Sequence, residues 1–189
     1  MSDDPWIESN GGPLLLAPAA LLTAWEGASP PAGSRVIEAR FRWDPDGPAT
    51  DYDRACDVSG YAGVIPVGSG WALVIGDEPS PARWESAPGG GVVVRWEHAP
   101  DAATAEAAVA SLLSGGLAEL AWSPECALDV VSSPLVMFDS AEEGAEPLGR
   151  RLVVELAPGR YVVEQARHAP DPELSLHLVR LRAVASGVA

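Results

Sequence analysis

Residues 61–75, which read YAGVIPVGSGWALVI, decide the fold of this chain. Two apolar runs of strand length, residues 61–67 and 71–75, flank a Gly-Ser-Gly turn. This pattern predicts a β-hairpin, because glycine supplies the positive φ that tight hairpin turns require. A further strand is predicted over residues 92–97, after the glycine-rich loop at residues 88–91. The middle of the chain is therefore expected to form a sheet.

Helices and one more strand are predicted on either side of this region. Pro18 suits the first turn of a helix that runs through Trp25 and stops at Gly27. Residues 37–43 alternate between apolar and charged side chains, which is typical of a half-buried strand. Asp101 is placed to cap the clearest helix in the sequence. The apolar stripe of that helix consists of Ala105, Val109, Leu112 and Leu113.

Beyond residue 124 the pattern changes to strands alone. The candidates are residues 128–131, 134–138, 152–156 and 161–165. Residues 174–184 alternate as a strand does but also match a helical period, and we favour the strand. The predicted fold class is α+β, with a mixed or antiparallel sheet, two main helices in the N-terminal part and a β-rich C-terminal part. We place an α+β subdomain at residues 1–123 and a β-rich subdomain at residues 124–189, with one compact domain as the alternative.

The charge of the chain excludes several functions. Its 189 residues include 27 acidic and 12 basic ones, which gives a net charge of −15, and all the basic residues are arginine. The absence of lysine excludes Schiff-base chemistry, and the acidity argues against binding nucleic acid, whose affinity comes from cationic neutralisation. No apolar run approaches the roughly 20 residues of a membrane span, and the acidic start does not resemble a secretory signal. We expect a cytoplasmic protein without membrane contact.

Catalytic chemistry finds no support in the sequence. The chain contains no phosphate-binding loop, no nucleophile elbow, and no zinc or redox motif. His98, His168 and His177 are scattered, and we expect structural or surface roles for them. Cys56 and Cys126 are interpreted as two thiols rather than a disulfide. We therefore expect no catalytic residue, no cofactor and no metal, and the protein is not expected to be an enzyme; catalysis would require a histidine to meet a carboxylate or Cys56 in space.

Two acidic groups and one tryptophan are the candidates for contact with a partner. Asp51, Asp53 and Asp57 form the densest acidic group, although Asp51 as a helix cap, with acidic residues in the first turn, explains the same pattern. Asp77 and Glu78 follow the hairpin. The last candidate is Trp84. It lies in a Pro/Ser-rich stretch and is therefore expected to be exposed. Tryptophan often anchors protein interfaces, which makes it a candidate for contact with a partner.

Several short strings resemble a known family in their order and spacing. They are residues 6–16 (WIESNGGPLLL), 25–27 (WEG), 51–56 (DYDRAC), 63–68 (GVIPVG), 76–79 (GDEP), 136–140 (VMFDS) and 156–161 (LAPGRY). Together they resemble the immunity protein 21 family, whose members are predicted immunity proteins of bacterial polymorphic-toxin systems. Residues 28–50 match nothing in the family pattern. The resemblance carries over no catalytic residue.

The resemblance implies a protein that neutralises a cognate toxin by stoichiometric, non-catalytic binding. Toxins that attack nucleic acid are often basic, and an acidic inhibitor would gain association rate with a basic toxin domain by electrostatic steering. The alternative is a small-molecule binding or regulatory domain that uses a cleft between the two subdomains.

Overall fold

Two five-stranded antiparallel sheets form the centre of the protein in a computed structural model, which describes residues 6–29, 50–76, 78–145 and 149–184. The strands, in chain order, are β1 (Leu14–Pro18), β2 (Ala62–Val67), β3 (Gly70–Ile75), β4 (Ala82–Ala87), β5 (Gly90–His98), β6 (Ser123–Val130), β7 (Leu135–Asp139), β8 (Leu152–Val154), β9 (Gly159–Asp171) and β10 (Leu174–Ala183). The first sheet has the order β2-β3-β1-β7-β8, and the second has the order β4-β5-β10-β9-β6.

The predicted hairpin is confirmed as β2 and β3. Val67 pairs with Gly70, so the turn consists of Gly68 and Ser69, and Gly68 has the positive φ of 55° that was expected. A second hairpin joins β4 to β5, with Ala87 paired to Gly90. The glycine-rich stretch is therefore a hairpin turn, and it leads into the strand predicted at residues 92–97.

Strand β1 shows how the layers are arranged. Its five residues are all buried, and alternate side chains enter different cores. Leu14 and Leu16 belong to the core between the sheets, whereas Leu15 and Ala17 pack on the outer face of the first sheet with Trp25. A strand that is apolar at every position needs cover on both faces. The second sheet covers the face with Leu14 and Leu16, and Trp25 and helix α1 (Asp51–Cys56) cover the face with Leu15 and Ala17.

Two α-helices cover the outer faces of the sheets. Helix α1 (Asp51–Cys56) packs on the first sheet through Ala55, and helix α2 (Ala102–Leu113) packs on the second. Asp101 caps α2 as predicted, since its carboxylate accepts a hydrogen bond from the Thr104 amide at 2.8 Å. The predicted apolar stripe of α2 is buried except for Leu113. No helix in the described ranges is long and apolar enough to cross a membrane.

Other predictions from the sequence fare differently. The helix expected after Pro18 is a short 3-10 helix, Ala19–Ala24, and the segment predicted as either strand or helix is the strand β10. The strand predicted at residues 37–43 lies outside the described residues. The fold class is mixed α+β with a β-rich character, as predicted. Both sheets contain strands from before and after residue 124.

Candidate functional site

The first two acidic residues of α1 hold the helix in place. Thr50, not Asp51, is the cap: its hydroxyl accepts a hydrogen bond from the Asp53 amide, and the Asp53 carboxylate accepts one from the Thr50 amide, both at 2.9 Å. Asp51 is the first residue of the helix, after the cap. Its carboxylate accepts a hydrogen bond from the Glu26 amide at 2.8 Å and contacts Arg54. The expected helix start is therefore present, with the cap one residue earlier.

Asp57 differs from the other two carboxylates. It is exposed and lies at the carboxyl end of α1, where its amide donates to the Asp53 carbonyl at 3.0 Å. A helix end with unpaired carbonyls does not favour a carboxylate, so this side chain does not stabilise the helix through the dipole. Of the three aspartates, Asp57 is the one that a partner can reach.

Glu78 points into the protein, while Asp77 lies outside the described residues. The Glu78 carboxylate accepts a hydrogen bond from the Tyr61 hydroxyl at 2.7 Å and lies 3.9 Å from Nε of Arg95. Arg95 is fully buried, and its guanidinium donates to the Ile75 carbonyl at 2.9 Å and to the Glu78 carbonyl. Glu78 therefore balances a buried cation.

Trp84 is less exposed than the sequence suggested. It lies on β4, half-buried, and packs against the core between the sheets. Its ring covers Gly91 so closely that a Cβ at that position would overlap it. The indole Nε1 donates to the Ser86 hydroxyl at 3.1 Å. The Pro/Ser-rich composition did not indicate that residues 82–87 form the strand β4. The pairing of β4 with β5 turns the Trp84 side chain toward the core.

Among the tryptophans that the structure describes, Trp71 is the exposed one, with 44% of its surface accessible. It is the second residue of β3 and pairs with Pro66 across the hairpin. The prediction from the sequence selected Trp84 instead. The position of Trp71 next to a tight turn was the available signal, because turns lie at the protein surface.

A polar cluster that the sequence did not predict lies between the sheets around His177. The imidazole stacks on the Tyr61 ring, with centroids 3.3 Å apart and an interplanar angle of 10°. Its Nε2 lies 2.6 Å from the Gln165 amide oxygen, and its Nδ1 lies 3.4 Å from the Glu97 carboxylate. One signal in the sequence was available. Ser175 and His177 alternate with the same spacing as the core residues Val179 and Leu181 on β10, so all four lie on the same face of the strand.

Glu97 is the anion of this cluster. Burial would raise the pKa of its carboxyl, but the hydrogen bond from Ser175 and the charge of Arg167 outweigh burial and lower the pKa. Arg167 donates to this carboxylate from Nε at 3.0 Å. Burial lowers the pKa of His177 despite the nearby Glu97 charge, so Arg167, rather than an imidazolium, balances Glu97 at neutral pH. Burial also raises the pKa of the Tyr61 hydroxyl.

The geometry of the cluster indicates a structural network. A histidine does meet a carboxylate here, which was the condition set for catalysis. However, the fully buried Ser175 hydroxyl donates to Glu97 and not to the imidazole. The residues of the cluster come from β5, β9 and β10 of the second sheet, and Tyr61 lies just ahead of β2 of the first sheet. The contacts of the cluster therefore join the two sheets.

Neither Cys56 nor Cys126 forms a disulfide. Cys56 is exposed, and Cys126 is half-buried, where burial raises its pKa to about 11. A thiol with so high a pKa is a poor nucleophile at neutral pH. Within the part of the chain that the structure describes, no group of three histidine, cysteine or carboxylate side chains is arranged to hold a metal ion.

We expect acid to weaken the fold through this cluster. An unfolded histidine titrates near 6.5, and the folded pKa of His177 is lower, so the unfolded chain binds the proton first. The contribution of His177 to stability is therefore present above pH 6.5 and is lost as the pH falls below it. Glu97 acts in the same direction at lower pH, since its folded pKa lies below 4.5. Urea unfolding at a series of pH values measures this loss.

The variant His177→Gln separates the histidine contribution from the rest. Its free energy of unfolding should depend less on pH below 6.5 than that of the parent chain. His98→Gln is the matched control, because it makes the same substitution at an exposed histidine outside the cluster. Parallel curves for the His177→Gln variant and the parent would contradict the assignment.

Comparison with known protein families yields a match over most of the chain. The family model described as Immunity protein 21 matches residues 5–174 of the 189. No curated protein and no solved structure matches the chain. The match spans both sheets, from ahead of β1 to the first residue of β10.

Proposed function

The chain belongs to the immunity protein 21 family, and from this membership we propose that it neutralises a cognate toxin by stoichiometric, non-catalytic binding. The family match over residues 5–174 is the observation that carries the proposal. The network around His177 agrees with it, because its hydrogen bonds and ring contact join the two sheets. An inhibitor of this kind acts through its surface, and it must be folded wherever the toxin would act, which we place in the cytoplasm.

The charge of the chain supports a basic toxin domain as the partner. A net charge of −15 creates a negative potential that attracts a cationic protein from a distance. Complementary charges of this kind raise the rate of association and suppress binding to wrong partners. We therefore propose a toxin domain of a polymorphic-toxin system that carries excess arginine and lysine.

The proposed contact residues are the ones that the sequence singled out, but the structure separates them by role. They are Asp51, Asp53, Asp57, Asp77, Glu78 and Trp84. Asp57 is the exposed member among those that the structure describes, whereas Asp51 and Asp53 fasten α1 and Glu78 balances Arg95. We propose that the side of the protein that carries α1 faces the toxin and that Asp57 makes the most direct contact.

Co-expression with the toxin domain encoded by the neighbouring gene tests the proposed function. We expect the chain to restore growth of cells that express the toxin and to form a one-to-one complex that survives size-exclusion chromatography. The control is co-expression of the chain with the carboxyl-terminal domain of an unrelated toxin. That toxin domain should not bind the chain and should still kill the cells. Persisting toxicity together with no detectable complex would refute the proposal.

A groove of about 430 Å³ supports the alternative of a small-molecule binding domain. It lies beside the β4–β5 turn and the loop before β9, so its walls come from both halves of the chain, and its volume falls within the range of ligand sites. Its charged lining residues are Glu155 and Arg160, and the rest is mainly glycine, alanine and proline. This lining offers few converging polar groups, so we rank the alternative second. Saturable binding of a metabolite that Glu155→Ala abolishes would reverse the ranking.

A further inference from the structure

The two sheets end in four edge strands, β2, β8, β4 and β6, which differ in how they are protected against further pairing. An edge strand leaves backbone N–H and C=O groups without a partner, and proteins block such edges with proline, bulges or very short strands. Strand β2 contains Pro66, whose carbonyl accepts a hydrogen bond from Arg54 at 3.1 Å. Strand β6 contains Pro124 and a shift of register, and β8 has only three residues. Strand β4 has six residues, with neither a proline nor a shift of register.

The backbone of β4 is open on the side away from β5. At the start of β4, the Ala82 amide donates to the Ile7 carbonyl at 2.7 Å, and the Ala82 carbonyl accepts from the Ile7 amide at 2.8 Å. The polar groups of Ala82 therefore point away from β5. Backbone groups alternate in direction along an antiparallel strand, so those of Trp84 and Ser86 point the same way as those of Ala82. No residue in the described ranges bonds to them there, and we call these backbone groups the open edge of β4.

The side chains beside the open edge carry excess negative charge. Glu85 lies between Trp84 and Ser86 and shares the outer face of the sheet with Arg83. The Arg83 guanidinium forms ion pairs with Glu85 and with Glu106 of α2, both at 2.6 Å. The Arg83 side chain is 10% exposed, whereas those of Glu85 and Glu106 are 26% and 45% exposed. One buried cation thus meets two more accessible anions, and the charge that a partner would meet here is negative.

This charge disfavours a second copy of the chain at the open edge. If two copies paired about a two-fold axis with Trp84 opposite Ser86, the two Glu85 side chains would lie directly opposite each other, which is destabilising. With Trp84 opposite Trp84, Ser86 would have to pair with Ala82, whose backbone groups are already bonded. With Ser86 opposite Ser86, Trp84 would meet Pro88, which has no N–H to donate. A strand that carries arginine or lysine opposite Glu85 would instead gain an opposite-charge pair.

The open edge therefore fits an extended basic segment of another protein. We propose that it accepts a strand of the toxin domain, which extends the second sheet beside β4 and places an arginine or lysine opposite Glu85. Addition of a strand to an open sheet edge is a common mode of recognition, in which main-chain hydrogen bonds give affinity and side chains give specificity. This inference rests on the proposed function. It adds a contact at the second sheet, separate from the one at α1, which packs on the first sheet.

Ser86→Pro tests the added strand, and Ser86→Ala is the matched control. Proline removes the outward N–H and leaves the pairing with β5 in place. Alanine removes the same hydroxyl, with its hydrogen bond from the Trp84 indole, but keeps the N–H. Ser86→Pro should raise the dissociation constant for the purified toxin domain of the neighbouring gene by about tenfold or more, because a main-chain hydrogen bond and its neighbours are lost. Ser86→Ala should stay within about threefold of the parent value.

Amide hydrogen exchange of the parent chain tests the same edge without a substitution. In the free chain, the Trp84 and Ser86 amides should exchange rapidly, whereas those of Arg83 and Glu85, which face β5, should exchange slowly. Binding of the toxin domain should slow exchange at Trp84 and Ser86, so that protection no longer alternates along β4. This change from alternating to continuous protection distinguishes an added strand from a contact made by side chains.

The outcomes separate the added strand from the function. If the parent chain binds and protects, but Ser86→Pro binds as tightly as the parent, the added strand is refuted and the proposed function stands. Weaker binding by Ser86→Pro without slower exchange at the Trp84 and Ser86 amides of the parent would also refute it, because the loss would then come from stability. Self-association of the parent that Ser86→Pro abolishes, with unchanged toxin affinity, would assign the edge to a second copy and refute it as well. If the parent neither binds nor protects, both proposals fail.

Discussion

Asp139→Ala should lower the free energy of unfolding by about 2–4 kcal/mol. The Asp139 carboxylate is buried, with 3% of the residue exposed. It accepts hydrogen bonds from the Asn10 amide at 2.7 Å, from the Asn10 side chain at 2.9 Å and from the Ala141 amide at 3.0 Å. Removing the acceptor leaves these donors without their partner, and each loss costs about 1–3 kcal/mol. Since two of the three donors belong to the exposed Asn10, water restores much of their loss, and we expect about 2–4 kcal/mol rather than the full sum.

Urea unfolding of three variants measures this effect. Asp139→Asn should fall between the parent and Asp139→Ala, because one oxygen remains while the amide group faces a donor. Glu8→Ala removes an exposed carboxylate with the same change in net charge, and its free energy of unfolding should stay within about 0.5 kcal/mol of the parent value. If Asp139→Ala behaved like Glu8→Ala, the hydrogen bonds around residue 139 would have no role in holding the fold.

The strings that resemble the family come together around this carboxylate. Ser140 donates from its hydroxyl to the Pro13 carbonyl at 2.7 Å, and its own carbonyl accepts the Trp25 indole N–H at 3.0 Å. The Tyr52 amide donates to the Gly27 carbonyl at 3.0 Å. Four stretches that are distant in sequence thus share one hydrogen-bonded centre. The strings that resemble the family therefore have a structural role in the fold. This explains why they did not identify the surface that contacts a partner.

Local patterns predicted the local parts of the fold. The β2–β3 hairpin and the Asp101 cap depend on a few neighbouring residues, and both were correct. Strand β4 was missed because its sequence, ARWESA, is too polar to stand out, and only its pairing with β5 makes it a strand. The place of β1 between β3 and β7 depends on residues more than 50 positions away. No short-range pattern contains that information.

The candidate site shows the same limit. The acidic group at α1 was visible as a cluster in sequence, but only the structure separates Asp51 and Asp53, which hold the helix, from the exposed Asp57. The cluster around His177 combines residues from several strands. The prediction for His177 was a structural or surface role, although the alternation along β10 puts it on the same face as the core residues Val179 and Leu181. Its carboxylate partner on β5 depends on strand pairing that no local pattern contains.

The association rate of the chain with its toxin domain should fall by between tenfold and a thousandfold as salt rises from about 0.01 M to about 1 M. This range is the usual gain from electrostatic steering, and over it the screening length shrinks from about 30 Å to about 3 Å. The net charge of −15 is the source of the expected field. Stopped-flow mixing at several salt concentrations measures the slope, and the dissociation rate should change much less, because contacts at close range are screened less.

The variant Asp57→Lys tests whether the negative charge beside α1 contributes to the association rate. Reversing Asp51 or Asp53 would disturb α1 itself, since both carboxylates accept backbone hydrogen bonds, so the exposed Asp57 is the informative position. Glu173→Lys changes the net charge equally from an exposed position in the β9–β10 turn. If the α1 side faces the toxin, Asp57→Lys should slow association more than Glu173→Lys and flatten the salt dependence more. Equal rates and slopes for the two variants would mean that only the total charge steers the encounter, and the interface would then have to be sought away from α1.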